Sequence, residues 1–144
     1  MVNKQKQKGT RWENDLVDLL NEKITEGNAK RIPSSGAIGT ILKEPILTGD
    51  VVAKYPGLSK KIKFDAKVGY GSDVSLRVQR EWLTKIRMEA EQDYSHPALA
   101  CKFSGARVKD GVQYFIVLDI DTFCAIINHM NDLWGMVEEE IVTT

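Results

Sequence analysis

The chain has 144 residues, and its twenty lysines and arginines are matched by twenty aspartates and glutamates, so bulk charge singles out neither a polyanion nor a membrane surface as partner. That length suits one domain, able to bury ~68% of its unfolded surface without a metal or disulfide staple. No apolar run approaches the ~20 residues that span a bilayer. Met1 to Lys8 lacks the apolar centre of a signal peptide, and a cytoplasmic location is the expectation.

In chain order, residues 1–11 carry Lys4, Lys6, Lys8 and Arg11 with no acid. Residues 1–8 are expected as a flexible basic tail, either solubilising or able to touch DNA. From Thr10 to about Lys23, Trp12, Leu16, Leu19 and Leu20 recur at helical spacing, with Val17 at the edge of the stripe. Glu13 precedes Leu16, Val17 and Leu20 by helical intervals, so its carboxylate sits within the apolar face and needs a partner. Two partners fit: a cation such as Arg31 in a structural ion pair, or a metal ion shared with other acids.

Asp50 to Tyr55 reads as a strand, and the turn-prone Pro56-Gly57-Leu58-Ser59 joins it as a hairpin to a second strand at Lys61 to Val68. In the second strand Ile62, Phe64 and Ala66 alternate with Lys63, Asp65 and Lys67, the pattern of a strand with one buried face. Asp65 and Lys67 thus project from one side, within reach of Asp50 if the strands pair. Lys54, Lys60, Lys61 and Lys63 give the hairpin a basic surround. Gly69-Tyr70-Gly71-Ser72 lacks a following Gly-Lys-Ser and reads as a plain loop.

A helix follows from Arg77 to about Asp93, with Val78, Trp82, Ile86 and Ala90 on one stripe and Gln79 near its start. With the strand at Ala98 to Phe103 it makes a βαβ unit, expected to cross over right-handed. Tyr114 to Leu118 is an apolar run suited to a buried strand. In the last helix, Asp121 to Val137, we expect Phe123, Ile126 and Ile127 in the core and Met130, Leu133 and Trp134 on a dimer surface. Glu138, Glu139 and Glu140 bias the end of the chain negative. Cys101 and Cys124 are expected as small buried side chains, and His96 and His129 as structural or surface residues outside any zinc pattern.

Two carboxylates held together repel unless a cation intervenes, and hard oxygen donors are what magnesium prefers. A lysine beside such an ion can orient the attacking water or offset charge developing on a phosphate. Asp50, Asp65 and Lys67 therefore suit metal-assisted cleavage of a phosphodiester; the bland alternative is a solvated strand face.

The run Lys8-Gly9-Thr10-Arg11-Trp12-Glu13, then Arg31 with Ser34-Ser35-Gly36, then Gly49-Asp50-Val51-Val52-Ala53 and Phe64-Asp65-Ala66-Lys67, resembles archaeal-type Holliday junction resolvases of the PD-(D/E)xK nuclease superfamily. The resemblance runs through the helix at Gln79 to Asp93 and the strand at Pro97 to Phe103. It implies an α/β, restriction-endonuclease-like core: a central mixed β-sheet flanked by helices in αβββαβ order, forming a single nuclease domain over 1–144. It also implies catalytic residues Glu13, Asp50, Asp65 and Lys67, with Mg2+ or Mn2+ held by Glu13, Asp50, Asp65 and the Ala66 carbonyl. Lys8, Arg11, Arg31, Ser34, Ser35 and Gly36 would contact DNA. Gln79 either supports the metal water or is a surface glutamine.

The implied activity is resolution of four-way junctions by paired, metal-dependent nicks from a homodimer whose symmetry mirrors that of the branched DNA. Three features depart from the pattern: Asn14 where arginine is common, Asp65 where glutamate is usual, and a long 36–49 stretch, read either as a mobile flap or as a surface insertion. Two other functions stay open: a related repair or restriction-like endonuclease, and a non-catalytic DNA-binding module.

Overall fold

The computed structural model describes residues 4–32, 50–69, 75–104 and 111–143. They form α1 (Lys4–Lys23), β1 (Asn28–Arg31), β2 (Val51–Lys54), β3 (Ile62–Val68), α2 (Arg80–Gln92), β4 (His96–Lys102), β5 (Tyr114–Val117) and α3 (Ile120–Thr143). The strands lie in the order β1-β2-β3-β4-β5. All neighbours are antiparallel except β3 and β4, which run parallel across the α2 crossover. The fold is α/β with a mixed sheet, and its first six elements follow the expected αβββαβ order.

Alternation along the strands sorts the core into two layers. Trp12 and Leu16 of α1 pack with Ala29, Val51, Ala53, Phe64, Val68, Ala98 and Ala100 on one side of the sheet. Ile86 of α2 packs with Leu99 and Cys101 on the other, joined by Leu76, Trp82 and Leu83. Consecutive residues of β4 thus serve opposite layers, and its first six are all buried. Trp12 does more than fill space. Its indole Nε1 donates to the Ala100 carbonyl at 3.0 Å, and its ring stacks on Tyr114 with centroids 5.2 Å apart, so one side chain ties α1 to both β4 and β5.

The helix α1 begins at Lys4, so residues 4–8, expected in a flexible tail, are helical. At its other end Asn21 accepts from the Ala29 amide at 2.8 Å and donates to the Ala29 carbonyl at 3.1 Å. These bonds satisfy the outward-facing amide and carbonyl of Ala29 in β1, an edge strand that carries no strand pattern of its own.

Three sequence expectations are corrected. Lys63 does not belong to an exposed basic face: its side chain is fully buried and its Nζ lies 2.7 Å from Asp93 Oδ2 at the end of α2. The cause is that β3 is covered on both sides, so the polar half of its alternation meets the crossover helix rather than water. The pair is a charge contact rather than an aligned hydrogen bond, since neither Asp93 carboxylate oxygen takes a hydrogen bond among the described residues.

Phe123 and Ile127, expected in the core, are 52% and 38% exposed, and Cys124 is exposed. The two faces of the sheet are already occupied by α1 and α2, which leaves none for α3. That helix is fastened at its start, where Asp119 accepts from the Thr122 amide at 2.8 Å. Further along, His129 Nε2 accepts from the Ser59 amide at 3.0 Å. Met130, Leu133 and Trp134 are exposed, as a docking surface would need. No helix among the described residues is long and apolar enough to cross a membrane.

Removing one member of a buried ion pair strands the other charge in a poorly solvating interior. Lys63→Ala should therefore cost about 3–5 kcal/mol in urea unfolding, and Lys63→Met combined with Asp93→Leu should recover most of it. A Lys63→Ala variant as stable as the parent chain would contradict the assignment.

Candidate functional site

Strand β2 starts at Val51, and the residue before it is held from both sides. The Asp50 amide donates to the Phe64 carbonyl at 2.9 Å, and the Asp50 carbonyl accepts from the Ile32 amide at 2.9 Å. Where the ladder to β3 stops, the Asp50 side chain continues it: Oδ2 accepts from the Ala66 amide at 2.8 Å. The amide and carbonyl of one strand residue face the same neighbour, so the Ala66 carbonyl opens toward this same edge.

Asp65 projects beside this edge, its carboxyl interacting with that of Asp50. Two carboxyl groups can share a hydrogen bond only when one carries a proton. Burial pushes Asp65 up to about 7, aided by the hydrogen bond and charge of Asp50 and opposed by Lys67. Burial also raises Asp50; the bonds from Asp65 and the Ala66 amide work against the rise, while the charge of Glu13 adds to it. Lys67, two residues along the same face, places Nζ 3.4 Å from Asp65 Oδ2 and 4.8 Å from the centre of the Trp82 ring. Hairpin and strand alternation thus bring Asp50, Asp65, Ala66 and Lys67 together.

Glu13 stands next to this group but is engaged elsewhere. Its Oε2 accepts from Arg31 Nε at 2.7 Å, with both side chains partly buried between α1 and β1. Of the two partners open to Glu13 at sequence level, the cation is the one it contacts. Among the described residues, no three His, Cys, Asp or Glu side chains gather closely enough to hold a metal ion.

Of the expected DNA contacts, Lys8, Arg11 and Arg31 fall among the described residues. Lys8 Nζ donates to the Gly69 carbonyl at 3.1 Å and to Ser104 Oγ, bridging the ends of β3 and β4. Arg31 is bound to Glu13, and Arg11 is exposed. Ser34, Ser35, Gly36 and the 36–49 stretch lie outside the described residues. Gln79 precedes α2 as its N-cap without a side-chain capping bond. It lines a cleft of about 430 Å³ together with Ala66, Lys67, Gly69, Arg77 and Trp82.

Trp82 is the site residue that the sequence reading left in the scaffold. The signal was present. Trp82 shares a stripe with Ile86 and Ala90, that stripe must cover one face of the sheet, and the β3 residues on that face are Lys63, Asp65 and Lys67.

No protein-family model matches the chain, and no curated protein matches it. Among solved structures it is similar to that of Archaeoglobus fulgidus Hjc, described as a Holliday junction resolvase from an archaeal hyperthermophile, with a TM-score of 0.47 and 17% identity over 82% of this chain and 88% of that one.

The raised Asp65 carboxyl has a signature in stability. Between its ordinary value of 3.8 and about 7 the folded chain binds more protons than the unfolded one, so the contribution is complete below the lower value and is lost as pH rises through the higher. In chelator, Asp65→Asn should gain thermal stability relative to the parent chain as pH is raised from about 5 to about 8. A difference that stays constant across that range would show that Asp65 titrates normally.

Proposed function

We propose that this chain is a divalent-metal-dependent endonuclease of the PD-(D/E)xK kind that nicks branched DNA, with four-way junctions as substrate and a homodimer as the working unit. The observation that carries this reading is the placement of Asp50 and Asp65: two desolvated, interacting acids, one just before β2 and one on β3, with the Lys67 amine 3.4 Å from Asp65. Structural strand faces rarely pay for such a pair, because each carboxylate loses water and gains a like charge.

The residues fit a hard divalent cation. The two acids compete for a proton that a cation would replace with two positive charges, and the Ala66 carbonyl adds a third hard oxygen on the same edge. Asp50, Asp65 and the Ala66 carbonyl would hold Mg2+ or Mn2+, with Glu13 as a direct or water-mediated member. Such an ion, when bound, polarises a phosphate oxygen and makes a water molecule a better nucleophile. Lys67 orients that water for in-line attack and offsets charge on the phosphate. Arg11, Lys8, Arg31 and the Ser34-Ser35-Gly36 segment contact the DNA backbone, Gln79 supports the water, and Met130, Leu133 and Trp134 form the dimer surface. Recombination or repair in the cytoplasm is the process such an enzyme serves.

One observation favours a second reading, a non-catalytic DNA-binding module. Glu13 is paired with Arg31, and no third acid joins Asp50 and Asp65 among the described residues. The two readings separate on activity. Labelled four-way junction should be nicked symmetrically with Mg2+ and left intact with chelator, and linear duplex should be cut poorly. Asp50→Asn and Lys67→Ala should each slow nicking by at least about 10²-fold while junction affinity stays within about twofold. Nicking by both variants at the parent rate would remove the mechanism; equal cutting of duplex would point to a repair or restriction-like endonuclease.

A further inference from the structure

We infer that Trp82 is a positioning residue for Lys67, holding its amine at the cleavage site through the face of the indole ring; this rests on the nuclease reading above. Lysine has a flexible four-carbon stem, and an amine that must act at one point loses much of its effect if it wanders among rotamers. Lys67 is drawn from two directions at once. Asp65 Oδ2 lies 3.4 Å from Nζ, and the Trp82 ring centre lies 4.8 Å from it, within the range where a cation is attracted to the negative face of an indole. An ion pair alone would leave the amine free to collapse onto the acid, and the ring supplies a second anchor that carries no charge.

The fold delivers the ring from a rigid place. Trp82 sits in the first turn of α2, its amide donating to the Gln79 carbonyl at 3.1 Å. Its ring packs against the layer of Ile86, Leu99 and Cys101, so it is half-buried on one side and faces the cleft on the other. Partial desolvation strengthens a cation–ring contact relative to one in open water. Because α2 is the crossover between β3 and β4, the strand bearing Lys67 and the helix bearing Trp82 are fixed to each other by the βαβ unit.

A merely structural tryptophan and a positioning one differ in what substitution does to rate. In single-turnover nicking of a four-way junction with Mg2+, Trp82→Leu should be at least about tenfold slower at saturating enzyme, with junction affinity unchanged. Trp82→Phe, which keeps an aromatic face, should recover most of the rate. Leu83→Ala, which loosens the same layer without meeting Lys67, should nick at the parent rate while folded. In the parent chain the Lys67 ε-methylene protons should show an upfield ring-current shift that Trp82→Leu abolishes.

Should Trp82→Leu fail to fold, tetrafluorotryptophan placed at position 82 keeps the shape and removes the negative face, and should slow nicking similarly. Parent-like rates in Trp82→Leu or in the fluorinated chain, or no ring-current shift in the parent, overturn the role of Trp82 and leave the nuclease reading standing. A parent chain that nicks no DNA removes both.

Discussion

The hydrogen bond from the Ala66 amide to Asp50 Oδ2, 2.8 Å long, sets where the other groups at the site can go. It puts a carboxylate where the next backbone rung between β2 and β3 would have been, so Asp50 is located by the sheet itself rather than by its own rotamer preferences. Asp65 belongs to the strand that donates this bond, and its distance from Asp50 is then fixed by a single residue of backbone. Lys67 follows by strand alternation. Three polar side chains thus inherit the rigidity of the central sheet, which holds groups in register more closely than loops do.

The electrostatic cost of that arrangement is what gives it meaning. Desolvation raises both acids and, aided by the neighbouring Asp50, lifts Asp65 to about 7, so near neutral pH the pair retains a proton it would otherwise shed. The nearby cations do not relieve it. Arg31 is taken by Glu13, Lys63, on the same face of β3, is paired with Asp93 at the end of α2, and Lys67 partly opposes the shift without cancelling it. Two acids kept together while the other positive charges are paired elsewhere are what motivate the proposal that a cation binds here.

Much of this was legible in the chain because it depends on short-range periodicity. The alternation of Ile62, Phe64 and Ala66 with Lys63, Asp65 and Lys67 placed the acid and the lysine on one face, and the Trp12–Leu16 stripe identified the helix that covers the opposite layer. What was not legible depends on which faces are covered by distant elements. Lys63 reads as solvent-facing until α2 is laid over β3. The segment Asn28–Arg31 has no strand signature, and its pairing is imposed by Asn21 and by β2. Phe123 and Ile127 have the spacing of core residues, but no face of the sheet was left for them. At the site, the two roles open to Glu13 could not be separated without knowing that Arg31 of β1 lies within 2.7 Å.

The central claim is that Asp50 and Asp65 share a divalent cation. Crystals grown without metal and soaked in Mn2+ test it most directly, through anomalous scattering from the ion. The account predicts a manganese peak between the two carboxylates, on the edge of β3 where the Ala66 carbonyl opens. Strong anomalous signal elsewhere with none at this pair, under soaking that saturates other sites, would contradict it.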